Sequence, residues 1–218
     1  GPSLIAGSAS YFSEGKVILT RVKVSPKLVI SASTVKFELP SESHGKNVRG
    51  NSRALMIDWK IRNGFELFVN IGPSTLEKHG TLSSAKVTLK PTSIFNWSEA
   101  NLKIKFEQLE GPSFDLKQGS LSGELVNSFQ DIKHVELVLP ESRLLIEGTP
   151  LTATESNIKV DYYELKKLLN QQNLKVEYLS KNIKFSEGLF EISSVEGDMM
   201  LSNGAVVFNS LGTNAKLG

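Results

Sequence analysis

The residues able to do chemistry are few and poorly spaced for it. His44, His79 and His134 lie far apart, two of them beside glycine and one in an alternating segment. They read as solvated histidines, and no metal site is expected. Ser-x-x-Lys spacings occur at Ser33 to Lys36, Ser83 to Lys86 and Ser156 to Lys159. In a serine acyl-enzyme that spacing sets lysine beside serine on a helix, with Ser-Asp-Asn and Lys-Thr-Gly motifs in support. Here the segments alternate like strands and neither supporting motif occurs. Glu107, Glu110 and Asp115 cluster beside a turn, where carboxylates are ordinarily wet. Asn96-Trp97-Ser98 matches a glycosylation acceptor, which carries no weight without a secretory context. No P-loop, dinucleotide fingerprint or Gly-x-Ser-x-Gly elbow is present. No catalytic residue, cofactor or metal is therefore assigned, and the expectation is a protein that is not an enzyme.

Composition narrows the class. The chain has 218 residues, 39% hydrophobic and 22% charged, a net charge of +2 and no cysteine. Disorder, a disulfide framework and thiolate chemistry are excluded. Lys103 and Lys105 alternate with apolar residues instead of forming a basic patch, so no nucleic-acid partner is expected. No apolar run approaches the roughly 20 residues needed to span a bilayer as a helix. Gly1, Pro2 and Ser3 read as a tag remnant, and residues 4–218 as a single all-β domain of a longer protein.

The elements that must position any site are strands. Leu55, Ile57, Trp59 and Ile61 alternate with Met56, Asp58, Lys60 and Arg62, which places the two sets on opposite faces of a pleat. The same alternation runs through Phe65, Leu67, Val69 and Ile71, through Leu102, Ile104 and Phe106, and through Val135, Leu137 and Leu139. Shorter strands are expected near Val17 to Val24, Leu28 to Leu39, Lys86 to Leu89, Phe114 to Leu116, Leu121 to Leu125 and Arg143 to Ile146. Others fall near Ile158 to Val160, Leu174 to Tyr178, Phe190 to Ile192 and Val206 to Phe208. A two-residue turn at Asn63-Gly64 would throw the apolar rows onto opposite faces. A three-residue loop, Arg62 to Gly64, pairs Ile61 with Phe65, Trp59 with Leu67 and Ile57 with Val69. At Asn203-Gly204 the two-residue turn pairs Leu201 with Val206 and Met199 with Phe208. One helix is predicted from Asp161 through Glu164, Leu165, Leu168 and Leu169 to Gln172, with a short turn from Ser74 to His79. Ser41 to Ser52 reads as the longest loop. Lys103 to Phe106 followed by Phe114 to Leu116 loosely echoes Asn182 to Phe185 followed by Phe190 to Ile192.

The fold class that follows is all-β, a mainly antiparallel meander with one or two short helices. One helix cannot cover a dozen strands spaced about 4.8 Å apart, so the sheet is expected to curve into a groove folding on itself, a sandwich being the alternative. Trp59, Trp97, Phe65, Phe106 and Phe114 could form a stacking platform, but four of them fall on apolar rows where packing is the stronger reading. The residues expected to line an apolar, lipid-holding groove are Leu55, Ile57, Trp59, Ile61, Phe65, Leu67, Val69, Leu102, Ile104 and Phe106. The competing function is a closed sandwich that recognises a protein or glycan through loops such as Ser41 to Ser52.

Short amphipathic strands, glycine-marked turns and the absence of active-site motifs run along the whole chain. Three segments carry a likeness: Asn101 to Leu125, with its Phe-Asp-Leu-Lys-Gln-Gly-Ser-Leu-Ser-Gly-Glu-Leu run from Phe114; Leu-Ser-Asn-Gly-Ala-Val-Val-Phe from Leu201; and Val24 to Ile30. Together they resemble the AsmA-like proteins of the repeating β-groove group. The resemblance implies a periplasmic, inner-membrane-anchored protein of the Gram-negative envelope whose sheet shields lipid acyl chains in transit. It implies a lipid or membrane partner and a possible envelope protein partner. It also implies more strands than this chain holds.

Overall fold

The computed structural model describes residues 16–39, 48–61, 65–93, 98–164, 174–185, 190–202 and 205–215. Alternating side chains make nearly all of these residues strand, and no helix occurs among them. Nineteen strands are laid down in twelve antiparallel passes of the chain. The first seven passes hold two strands each: β1 (Lys16–Thr20) with β2 (Lys23–Val24), β3 (Ile30–Ala32) with β4 (Thr34–Leu39), and β5 (Val48–Ser52) with β6 (Leu55–Ile61). They continue as β7 (Phe65–Ile71) with β8 (Ser74–Leu76), and β9 (Gly80–Leu82) with β10 (Ala85–Pro91). Then come β11 (Ala100–Phe106) with β12 (Gln108–Gly111), and β13 (Phe114–Lys117) with β14 (Ser120–Val126). Single long strands follow: β15 (Asp131–Ile146), β16 (Thr149–Glu164), β17 (Leu174–Phe185), β18 (Phe190–Ser202) and β19 (Ala205–Ala215).

Each pass pairs with its neighbours in sequence. One row of ladders runs β2-β3-β6-β7-β10-β11-β14 and a second runs β1-β4-β5-β8-β9-β12-β13. Both rows end on β15, which joins them into one sheet that β16 to β19 extend. Among the described residues no pairing links the first pass to the last, so this is a single open sheet and not the alternative sandwich. The expected registers hold: Ile61 faces Phe65, Trp59 faces Leu67 and Ile57 faces Val69. Leu201 likewise faces Val206, and Met199 faces Phe208.

The breaks within successive passes are aligned. Ser33 lies level with Arg53 and Ala54, these with Gly72 and Pro73, then with Ser83 and Ser84, then Glu107, then Gln118 and Gly119. In the long strands the line continues through Pro140, Glu155 and Asn182, with register shifts in the β16–β17 and β18–β19 ladders. Arg21, Gln118, Glu155 and Asn182 take φ between 49° and 54° there, the left-handed conformation of a bulge residue. At the line the apolar series skips by three instead of two: 32 to 35, 52 to 55, 71 to 74, 82 to 85, 106 to 109, 139 to 142, 153 to 156. One extra residue per pass bends the strand and leaves the apolar side chains of both halves on one face.

Burial shows which way the sheet bends. Ala32, Ser52, Ala85, Leu139, Ser142, Ala153, Ser156 and Ile183 are at most 5% exposed, and all flank the crease on the apolar face. An alanine or serine on the outside of a bend would be bare, so the apolar face is concave.

Several expectations are corrected. Asp161 and Glu164 end strand β16, with Glu164 facing Asp131 of β15, so they do not cap a helix; Leu165, Leu168, Leu169 and Gln172 lie outside the described residues. The pairing partner here is some 33 residues away in sequence, and such ladder bonds override a local capping pattern. Ser74–Leu76 is strand β8, held between β5 and β9, and only residues 77–79 turn. Of the expected loop from Ser41, residues 48–52 form β5, and 41–47 lie outside the described residues. The internal echo has no structural counterpart: Lys103–Phe106 precedes the crease in β11, whereas Asn182–Phe185 runs from the crease to a hairpin end.

Candidate functional site

The site is the concave face. Strands β6, β7, β10 and β11 build one wall by cross-strand rows: Ile57 to Val69 to Val87 to Ile104 to Leu121, and Leu55 to Ile71 to Ala85 to Phe106. Leu55, Ile57, Phe65, Leu67, Val69, Leu102, Ile104 and Phe106 are half-buried on this face. The register assigns Trp59 and Ile61 to the same row. Eight of the ten residues singled out from sequence are thus described on one face, and for Trp59 and Ile61 the backbone register alone is described.

The second wall was not foreseen as part of the site. It consists of Val35 and Phe37 from β4, Leu76 and Leu82 from β8 and β9, Leu109 and Leu116 from β12 and β13, and Leu144, Leu151 and Phe185 from β15 to β17. The signal that could have found it is the skip of three, which continues the apolar series past each break. On this wall exposure climbs from 5% at Ser142 beside the crease to 37% at Leu144 and 53% at Ile146. Phe190, at the outer end of the wall, is 62% exposed. On this strand cover is complete beside the crease, where the side chain is small, and falls away toward the hairpin end.

Four hydroxyls along the floor donate within their own chain. Ser52 Oγ donates to Ala54 O at 3.0 Å, Ser74 Oγ to Gly72 O at 2.9 Å, and Ser180 Oγ to Ser156 Oγ at 3.0 Å. Ser142 Oγ reaches Ala153 O at 3.5 Å. The crease hydroxyls are engaged by their own chain.

The convex face is ordinary wet sheet. Ion pairs cross it between neighbouring strands: Arg49 with Glu38, Lys90 with Glu66, Lys117 with Glu141, Lys159 with Glu136, Lys181 with Glu155 and Lys184 with Glu191. Hydrogen bonding and attraction from Glu141, 2.8 Å away, raise the pKa of Lys117. Depressions of about 570 and 520 Å³ on this side are lined mainly by polar and charged groups such as Lys159, Lys175, Glu177 and Asp198, or Asn51, Arg53, Gln108 and Glu110.

None of the residues considered for chemistry is brought into a working arrangement. His79 is exposed in its turn and His134 is exposed at a bulge with φ of 49°; His44 lies outside the described residues, as do Asn96 and Trp97. Ser156 is buried in the crease, while Lys159 points outward to Glu136. Ser33 and Ser83 are exposed bulge residues. Glu107 and Glu110 are exposed, and Asp115 accepts from Gln108 Nε2 at 2.9 Å. No group of histidine and acidic residues that could hold a metal occurs among the described residues, nor any helix long and apolar enough to cross a membrane. No family model, curated protein or solved structure matches the chain.

Proposed function

We propose that this chain holds or shields lipid, its concave sheet taking up acyl chains without catalysis. One observation carries the reading: an apolar face runs across the sheet and past a crease in each of the first eleven passes, and its outer parts remain exposed. Exposed apolar area of this extent marks an interaction surface. Each methylene buried against it contributes about 0.8 kcal/mol, so a dozen give on the order of 10 kcal/mol before ordering costs.

The floor supports hydrocarbon over peptide. An extended peptide lying there would bring backbone C=O groups against a surface whose hydroxyl protons are already donated within the chain, and each carbonyl left unmet costs roughly 1–3 kcal/mol. An acyl chain brings no such groups. Within this reading the chain is a module of an AsmA-like protein, inner-membrane anchored in the periplasm, serving lipid transport or outer-membrane homeostasis with a possible envelope protein partner.

The test is extraction of the purified protein with organic solvent, alongside native mass spectrometry. Co-purifying lipid is expected, as is loss of it on replacing Leu67 or Ile104 with arginine while the β-sheet circular dichroism is retained. A protein that carries no lipid, binds none from vesicles and buries this face in a dimer would overturn the proposal.

A further inference from the structure

From the second pass to the tenth, at least one residue beside the crease on the concave face is small in every pass but one: Ala32, Ser52, Ser74, Ala85, Gly119, Ser142, Ala153 and Ser180 fill these places. The exception is the sixth pass, at the middle of the sheet, where Phe106 and Leu109 flank the crease. The ring of Phe106 does not stand up between the walls. It lies across the neighbouring strand over Gly119, where a Cβ would overlap it, 2.5 and 2.7 Å from ring atoms Cε1 and Cε2. Phe106 N also donates to Gly119 O at 2.9 Å, so the two residues are cross-strand partners. The arrangement recurs on the second wall, with Phe37 lying over Gly50 and Phe114 over Gly111.

We infer that the Phe106–Gly119 pair sets the depth of the groove at its midpoint and is a specificity-determining element for the occupant. This rests on the lipid-holding reading above. The missing side chain at residue 119 lets the ring lie flat, so a hydrocarbon chain following the crease passes over an aromatic face instead of meeting a rim. A single methyl at that position displaces the ring upward into the space between the walls. Gly119 is the informative position of the three. The three atoms nearest a Cβ there all belong to the Phe106 ring, whereas Cβ atoms at Gly50 and Gly111 would also press on backbone oxygens of Thr75 and His79 at 2.9 and 2.7 Å.

The experiment uses the delipidated full chain and pyrene-labelled decanoic acid, read by fluorescence titration, with thermal unfolding as the control for folding. Gly119→Ala is expected to weaken binding about tenfold, the loss that goes with some 50–60 Å² of apolar contact. Adding Phe106→Ala to it removes the displaced ring and recovers part of the lost affinity, short of the unsubstituted protein by the contact the flat ring itself supplied. A Gly119→Ala protein that is folded and binds normally overturns the inference, as does a double variant that binds no better than Gly119→Ala alone. If Gly119→Ala does not fold, Phe106→Trp serves, since an indole is too wide to lie in that place; the same tenfold loss is expected and undiminished binding refutes. Failure of the unsubstituted protein to bind the probe or any phospholipid is a different result, which removes the lipid-holding reading itself.

Discussion

Truncating two leucines, one at the crease and one on the open wall, measures how full the interior is. Leu139 is 4% exposed at the fold line, beside Ser142 and facing Ser156. Leu102 is half-buried on β11, between Leu89 and Gly123 of the adjoining strands. Leu139→Ala removes a side chain from a closed site and leaves a cavity, a loss of about 3 kcal/mol. Leu102→Ala forfeits only the covered half of a transfer free energy of roughly 1.5–3 kcal/mol and leaves no enclosed void, which comes to about 1 kcal/mol. For a chain of this size each kcal/mol moves the melting temperature by about 2–4 °C, so the expected drops are about 6–12 °C and 2–4 °C. Urea unfolding of delipidated protein gives the same comparison with m as a check on the unfolded state. Equal losses at the two positions would mean that the wall is packed as tightly as the crease, and the open groove would be refuted. Reloading with lipid sharpens the contrast, since a ligand bound only by the folded form adds stability that the Leu102 variant recovers incompletely.

Three further outcomes follow. Asn127, Ser128 and Phe129 form a turn with three consecutive left-handed residues, φ 53°, 57° and 67°; Ser128→Gly relieves one of them and should raise stability by about 1 kcal/mol, an unchanged urea midpoint being the contrary result. Deleting Glu107, the extra residue of the sixth pass, restores strict alternation, so Leu109 stays on the concave face while the bulge that bends the pass is lost. The straightened pass should no longer match its creased neighbours and the melting temperature should fall, whereas Glu107→Ala should stay within about 0.5 kcal/mol; a deletion variant that melts normally would show that the bulge does not set the bend. Glu141 raises the pKa of Lys117, so the lysine's part in the pair is present at neutral pH and fades as pH rises through the raised value, above the ordinary lysine range. Melting curves of the unsubstituted protein and Glu141→Gln should differ at neutral pH and converge in strong alkali, and curves that already coincide at neutral pH would contradict the assignment.

The face that matters was legible because its cause is local. Strand alternation and hairpin phase constrain each other, so Trp59 opposite Leu67 and Met199 opposite Phe208 could be deduced from turn length alone. The crease was not legible, because a bulge residue has no required identity: Arg21, Ser33, Glu107, Glu155 and Asn182 share only exposure and polarity. Read with a strict period of two, each break looks like the end of a strand. Thus β15 appeared as two pieces on either side of Pro140, and the second wall was never connected to the first. The helix cap expected at Asp161 failed for the complementary reason. Val160 to Glu164 fits both a capping pattern and a strand, and the choice was made by β15, far away in sequence.

What separates this architecture from a sandwich is that its two walls share their strands. In a sandwich the sheets are joined by loops and are free to settle about 10 Å apart, where their side chains interdigitate and the interior fills. Here the first eleven passes each run through both walls, so the separation is fixed by the bend that one inserted residue produces. Near the bend the space is narrow and the chain meets it with alanine, serine and glycine. Toward the hairpin ends of the second wall, larger side chains such as Leu144 and Ile146 stay exposed. The turn at Asn127 to Phe129, with Ala100, Leu125 and Ile132 buried near it, closes part of one rim, but the opposite rim keeps Phe190 bare. A chain that needed only stability would have filled the wedge from its own side chains. Keeping it open leaves apolar area in water, a loss that a hydrocarbon occupant would recover.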